Sequence, residues 1–426
     1  MRRYLNFIFI FLLSVSLYAE YDFPMKNPYV ATIIGSSKIM TEGIPENVPT
    51  KEYKIELERS KKIPENLWYE KGFKFSLSKQ KGNAPLIYIL SGTGSAYNSV
   101  RTKNFQRIFY KAGYHVLTVT SVFNSNFVLN VSNSQVPGVL IQDGLDLYNV
   151  MKDMLDKVKK EDRLQIDNIY LMGYSMGATH SAVLSYLDSV GKDFNFKRVY
   201  MVNPSINLYY SAKVLDDMLD KNIENKAEIG KVVNEVIDEV KKNISPTDLE
   251  ITEESIYSIF EKHELSDKKM KTLIGLAFNL TSIDLNYIVD QINGTHVYSK
   301  KTPGKFTSMY PYFEAINFAD FSDYLEKLAY PYYLKILGGD LTFNDMIKYG
   351  NLRIIGDYLK NEKKIVVVTN EDDFILSTKD KKFIKETFKE RSLIYPYGGH
   401  CGNMFYQTNV DKMLEYLNKG VFNNEL

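Results

Sequence analysis

Apolar residues along this chain follow two spacings. Some form short unbroken runs: Ala84-Pro-Leu-Ile-Tyr-Ile-Leu90, Tyr114-His-Val-Leu-Thr-Val-Thr120, Ile169 to Tyr174, Arg198-Val-Tyr-Met-Val-Asn203, Lys364-Ile-Val-Val-Val-Thr369 and Ser392-Leu-Ile-Tyr395. Such runs, rich in β-branched and aromatic residues, predict strands buried on both faces. Between them apolar positions recur at helical spacing. This predicts helices over Asn104 to Ala112, Val139 to Lys159, Gly177 to Val190, Asp380 to Lys389 and Val410 to Leu417. In the second of these the apolar residues are Leu140, Leu145, Leu147, Val150, Met151, Met154 and Leu155. Continuous strands alternating with amphipathic helices predict a parallel sheet covered on both sides. Residues 20–65, polar and Pro-containing, precede the alternation.

The alternation stops between Asn203 and Lys364. Helical spacing replaces it over Val214 to Lys242, Glu253 to Lys262 after the cap-like Thr252, Lys268 to Leu280 after Ser266, Phe321 to Leu328 and Asn344 to Lys360. Ser245-Pro246 and Thr302-Pro-Gly304 mark loops between them. An α/β domain interrupted by a helical insertion is the expected organisation.

At the end of one predicted strand stands Tyr170-Leu-Met-Gly-Tyr-Ser-Met-Gly-Ala-Thr-His-Ser181. Gly173 and Gly177 flank Ser175 at the spacing of a nucleophile elbow, a strained strand-to-helix turn that lifts the serine hydroxyl above the sheet. A serine hydroxyl is a poor nucleophile near neutral pH. It needs a base, a carboxylate to orient the base, and donors for the oxyanion. The chain has five histidines. His115 falls inside a strand, His180 on the helix after the elbow, and His263 and His296 in polar parts of the insertion. His400 lies in Tyr395-Pro-Tyr-Gly-Gly-His-Cys-Gly402, a glycine-rich loop just after the last strand, and is the candidate base. The acid is expected after a strand lying between serine and histidine in chain order. Val366-Val-Val-Thr-Asn-Glu-Asp-Asp-Phe-Ile-Leu-Ser377 offers Asp373, with Asp372 as the alternative. The elbow itself supplies the Met176 N–H as one oxyanion donor, and the glycine-rich Ser91-Gly-Thr-Gly-Ser95 supplies the Thr93 N–H as the second. That loop lacks the lysine and the spacing of a phosphate-binding loop.

With GYSMG at 173–177, an aspartate after VVVTN and GGHCG at 398–402, the chain resembles the α/β-hydrolase superfamily, whose triad runs Ser, Asp/Glu, His in chain order. The resemblance covers residues ~84–205 and ~362–420. It implies an α/β-hydrolase fold, a mostly parallel sheet flanked by helices with an inserted helical cap. It also implies a nucleophile at Ser175, an acid at Asp373 and a base at His400. Many relatives carry His-Gly at the oxyanion loop, where this chain has Ser91-Gly92. Members often carry a cap after the sixth strand, the slot of residues 204–362. The expected division is a signal peptide at 1–19, the first part of the core at 20–203, the insertion at 204–362 and the second part of the core at 363–426.

Composition narrows the chemistry. Lys plus Arg number 53 against 52 Asp plus Glu, so no global field attracts nucleic acid or anionic lipid. The single cysteine, Cys401, excludes an intramolecular disulfide and a thiolate zinc site. Next to the base in sequence, its thiol is expected to point away from it and to serve as small packing. Arg2 and Arg3 precede the apolar YLNFIFIFLLSVSL, and Ala19 offers a cleavage point before Glu20. An exported protein without a stable membrane span is expected, with an N-terminal membrane anchor as the alternative.

The expected activity is cleavage of small-molecule acyl esters, lipid-like ones included, through an acyl-enzyme, with no cofactor or metal. The alternatives are a catalytically inactive binding protein of the same fold, and an acyltransferase, thioesterase or peptidase using the same residues. The aromatics at Met309-Tyr-Pro-Tyr-Phe313, Phe318-Ala-Asp-Phe321 and Leu328-Ala-Tyr-Pro-Tyr-Tyr-Leu334 either pack the insertion on itself or line an acyl pocket over Ser175.

Overall fold

Alternate residues of each central strand face opposite sides of one eight-stranded sheet, and both sides are buried. In the strand Ala84–Leu90, Leu86, Tyr88 and Leu90 enter one core while Ile87 and Ile89 enter the other. That two-sided burial explains why the strand has no polar partner positions. The computed structural model describes residues 21–425 apart from 38–39, 58–62, 224–230, 232–265, 300, 302, 305 and 318. The signal-peptide reading of 1–19, the Glu253 to Lys262 helix with Thr252, the Ser245-Pro246 loop, His263 and Phe318 lie outside the described residues.

The strands are β1 (Lys51–Ile55), β2 (Phe73–Ser78), β3 (Ala84–Leu90), β4 (His115–Val119), β5 (Ile166–Tyr174), β6 (Arg198–Val202), β7 (Ile365–Asn370) and β8 (Ser392–Tyr395). Their order across the sheet is β1-β2-β4-β3-β5-β6-β7-β8. The β1–β2 and β2–β4 pairs are antiparallel, and every pair from β4 to β8 is parallel. This is the α/β-hydrolase order. The chain steps outward from β3 to β4 and then returns to pair β5 on the other side of β3. In open α/β sheets the crevice at such a switch point, beyond the strands' carboxyl ends, is where ligands bind. The loops after β3 and β5 both open into it.

The helices of the core are α1 (Pro28–Ile34), α2 (Val100–Lys111), α3 (Ser125–Asn130), α4 (Leu140–Asp162) and α5 (Met176–Gly191). Helices α1 and α2 and the Gln407–Lys419 helix cover one side of the sheet through residues such as Ala31, Phe105 and Met413. Helices α4 and α5 cover the other through Val150, Met154, Ala182 and Val183.

Between β6 and β7 every described helix or strand element is helical, with one isolated bridge between Asn207 and Asn351. Helix α6 spans Leu208–Asp220, starting before the helix expected over Val214 to Lys242 because Asn207 caps it by accepting the Tyr210 N–H; residues 224–230 and 232–242 of that expected helix lie outside the described residues. The Asp267–Asn293 helix begins at its Ser266 cap, as expected, but runs on past Leu280 to the left-handed Gly294. Long and apolar enough to cross a membrane, it packs against α6, α1 and α3. The single helix expected over Asn344 to Lys360 is broken into Phe343–Tyr349, a short 3₁₀ turn Leu352–Ile355 and Gly356–Asn361. The break exists because Gly350 and Asn351 turn their backbone groups to α6: the Leu208 N–H bonds Gly350 O.

Residues 21–57 hold more structure than their polar composition suggests. Tyr21, Phe23 and Met25 are buried in the core, and Tyr21 stacks on Tyr395 at 4.7 Å between ring centroids. The Asn27 side chain caps α1 by accepting the Tyr29 and Val30 N–H groups. Strand β1 adds to the sheet edge.

Candidate active site

The elbow is built by steric exclusion. A Cβ on Gly173 would lie 2.2 Å from Gly177 O, and one on Gly177 would lie 2.2 Å from Leu90 O. Neither is possible, so the β5–α5 turn can close this tightly only with glycine at both positions. Ser175 between them is forced to φ 54° and ψ −126°, a region L-residues avoid. Its N–H is held by Val202 O at 2.8 Å. The serine is thus pinned to the sheet by its backbone, with its side chain turned to the crevice.

Ser175 Oγ lies 2.9 Å from His400 Nε2. On the other side of the ring, His400 Nδ1 lies 3.1 Å from Asp373 Oδ2 and 3.2 Å from Oδ1. The three side chains form one hydrogen-bonded line, drawn from positions 175, 373 and 400. Asp373 is fully buried and His400 is 13% exposed.

Each member is held from behind. Asp373 Oδ2 accepts from Asn203 Nδ2 at 2.8 Å, and Oδ1 accepts the Ile375 N–H at 3.2 Å. Asn203, at the end of β6, adopts φ 47°. Asp372 acts on the backbone instead. Its carboxylate accepts the N–H groups of Gly399 at 2.9 Å and Gly398 at 3.2 Å, tying down the histidine loop. Burial raises the Asp372 pKa, and those two N–H bonds oppose the rise. The His400 N–H is taken by Thr32 Oγ1 at 2.8 Å, so α1 is a wall of this site.

The other histidines described are elsewhere. His115 is buried between the Gln80 N–H, 3.0 Å from Nδ1, and Gln165 O, 2.9 Å from Nε2. His180 bonds Met176 O within α5, and burial lowers its pKa to about 4. His296 is exposed and bonds Ser299 O.

Cys401 corrects an expectation. Its sulfur does not point away from the base: Sγ lies 3.8 Å from His400 Nε2, the nitrogen that also faces Ser175. The cause is backbone conformation. Cys401 sits at φ 63°, which folds its side chain back over the preceding ring. Burial works against a charge on His400, but Cys401 and then Asp373 outweigh it through charge interactions and hydrogen bonds. The His400 pKa is raised to about 10.

The Met176 N–H opens α5 and belongs to the first turn, where N–H groups have no intrahelical partner. Thr93 sits in a turn closed by the Ser95 N–H to Gly92 O at 3.0 Å, with Gly94 at φ 70°. Gly92 faces Ser175 closely enough that a Cβ there would touch the Ser175 Cβ at 3.4 Å.

Above Ser175 lies a cavity of about 330 Å³. Its floor is Gly92, Thr93, Tyr174, Ser175, His400 and Cys401. One wall is apolar: Leu215 of α6, with Leu273, Ile274, Ala277 and Phe278 from one face of the Asp267–Asn293 helix. The rest is mostly polar, with Thr32, Ser95, Arg101 and Thr281 beside Ile33.

Of the two roles open to the aromatic segments, the described residues take the packing one, and none of them lines this cavity. Tyr312 packs with Ile316 and Ala319 in a small core of its own. Phe321 packs on Phe123 and Phe278, and Tyr324 and Tyr333 donate to Pro137 O and Val136 O. These rings hold the insertion on the core.

No protein-family model and no curated protein matches the chain. Solved structures with a similar fold include three hydrolases. An esterase of Pyrococcus furiosus is 11% identical, with 87% of this chain and 91% of that one covered and a TM-score of 0.42. An esterase of Pyrobaculum calidifontis is 13% identical, with 92% and 94% covered and a TM-score of 0.40. The acylaminoacyl peptidase of Pyrococcus horikoshii is 10% identical with a TM-score of 0.42; 89% of this chain matches only 43% of that one. Likeness of this degree says nothing about substrate. The α/β-hydrolase fold of this protein rests on its own strand order.

Proposed function

We propose that the protein is a serine hydrolase that cleaves carboxylic esters through an acyl-enzyme. The observation that carries this reading is the unbroken line Ser175–His400–Asp373 beneath a cavity with an apolar wall. Ser175 Oγ attacks the ester carbonyl carbon while His400 Nε2 takes its proton. The negative charge on the carbonyl oxygen meets the Met176 and Thr93 N–H groups. Collapse expels the alcohol, which leaves with the proton from His400. Water then repeats the sequence and releases the acid. Asp373 keeps the Nδ1 proton on the far side of the ring, so that Nε2 faces the serine with its lone pair.

Export is proposed with it. Two arginines and an apolar run precede Ala19, and Tyr21 onward is packed into the core, so cleavage before Glu20 would leave the folded part intact. N-terminal sequencing of the native protein tests that; recovery of Met1 would overturn it.

The activity is tested by labelling the purified protein with a fluorophosphonate and assaying p-nitrophenyl esters. Labelling should vanish in Ser175→Ala, and turnover should fall by a factor of roughly 10⁴ to 10⁶ without loss of fold. Turnover unchanged in that variant would end the reading.

A further inference from the structure

Among the described residues that line the cavity over Ser175 there is one guanidinium, and no carboxylate opposes it. Arg101, in the first turn of α2, is half-buried at the cavity edge. Its Nε donates to Ser36 Oγ at 2.9 Å and one Nη2 hydrogen donates to Thr32 O at 3.1 Å. Both acceptors belong to buried residues, and they fix one edge of the guanidinium plane against the α1 segment. A guanidinium has five N–H donors in a rigid fork. Two being used on that edge, both hydrogens of Nη1 and one of Nη2 have no acceptor among the described residues. Among the described residues no aspartate or glutamate lines the cavity, and Asp373 is sealed behind the His400 ring.

A staple between α1 and α2 could be made by a neutral amide. What the arginine adds is a fixed positive charge, its plane already oriented, facing a chamber whose opposite wall is apolar. An ordered guanidinium with a free edge is the geometry that takes a carboxylate or phosphate through paired hydrogen bonds.

We infer that the substrate is an ester with two unlike ends: an apolar part against Leu273, Ile274 and Phe278, and an anionic group bound by Arg101. The inference rests on the hydrolase reading and narrows it from esters in general to anionic ones. Because Arg101 is held by α1 while Ser175 is held by the sheet, the anion and the reacting carbonyl are read by two separately anchored parts of the fold.

Two pairs of esters test this, each pair differing by one charge. The first is the p-nitrophenyl hemi-adipate against its methyl ester, which places the charge on the acyl part. The second is para-carboxyphenyl butyrate against its methyl ester, which places it on the leaving group. In the wild type, kcat/KM should favour the charged member in at least one pair. Arg101→Gln should reduce that charged-to-neutral ratio by about ten- to hundredfold, the range expected for hydrogen bonds to a charged group. Arg101→Lys should keep part of it. The ratio is measured within one protein sample, so a lower folded fraction cancels. If Arg101→Gln does not fold, the wild-type ratios decide alone. A phosphate-bearing leaving group compared with the carboxylate tells which anion is preferred. Turnover of the neutral members with no charge preference in either pair overturns the inference and leaves the hydrolase standing, as does a preference that Arg101→Gln retains. No turnover of any member sinks the hydrolase reading and this one with it.

Discussion

Cys401 places its sulfur 3.8 Å from His400 Nε2, beside the Ser175 hydroxyl that reaches the same nitrogen at 2.9 Å. The imidazole must be neutral to accept the serine proton. A raised His400 pKa therefore moves the acid limb of the activity profile towards alkaline pH. Activity should be lost as pH falls through that pKa and be fully present above it. The limb of kcat/KM should lie above the ordinary histidine value of about 6.5.

Cys401→Ser tests the sulfur's part in this. Removing a group that favours the protonated ring should shift the limb to lower pH, with the plateau rate kept within about tenfold. A loss as deep as that of Ser175→Ala would make the thiol the nucleophile instead.

Asp373 and Asp372 are neighbours with different roles. Asp373→Asn should lower kcat by about 10⁴, because the amide leaves His400 in the wrong tautomer. Gly398 and Gly399 bond different oxygens of Asp372, so Asp372→Asn keeps an acceptor for only one of them but leaves the Ser175–His400–Asp373 line untouched, and its effect should be far smaller. Comparing the two single variants on one ester checks this. The reverse order would move the acid to Asp372.

Asn203 supports the triad from β6. Asn203→Ala leaves the buried Asp373 carboxylate short of one hydrogen bond, a loss of about 1–3 kcal/mol. Part of it should appear in thermal stability and part as a fall in kcat of roughly ten- to hundredfold, with KM little changed. A variant with normal kcat would show that the Ile375 N–H alone positions the acid.

An acyl chain laid along the apolar wall would make the rate depend on its length. Burying each further CH₂ contributes about 0.8 kcal/mol, roughly fourfold in kcat/KM, until the wall is covered. The rate on p-nitrophenyl esters should rise from acetate to medium chains and then fall. Ala277→Phe narrows the cavity and should move the maximum towards acetate. An unchanged profile would place the acyl chain elsewhere.

The parts of this molecule legible in its sequence are those coded by neighbours in the chain. Gly173, Ser175 and Gly177 declare the elbow because the steric requirement is local. His400 stands out for its glycines, and the parallel strands for their unbroken apolar runs. Asn203 gives no such signal: an asparagine ending a strand is ordinary, and its bond to Asp373 exists only once β6 and β7 are paired. Thr32 and Arg101 lie in segments whose polarity reads as surface or helix start, yet both meet at the site through tertiary packing. The direction of Cys401 is hidden because sequence adjacency to His400 does not fix where a side chain points; the positive φ does. The aromatics of the insertion left two readings open for a related reason. Density of rings marks burial, and only the packed structure says against what.

The bond from the His400 N–H to Thr32 Oγ1 joins positions 368 apart in the chain. Its two halves are therefore made at nearly opposite ends of translation. By the time β6 has left the ribosome, the strained serine and its glycines can already be in place beside Val202. They then wait for some two hundred further residues for the His400 imidazole, and α1, made before them, waits longer still for the loop it braces. A growing chain therefore lacks the Ser175–His400–Asp373 line until α1 closes on the Gly398–Gly402 loop, near the end of synthesis.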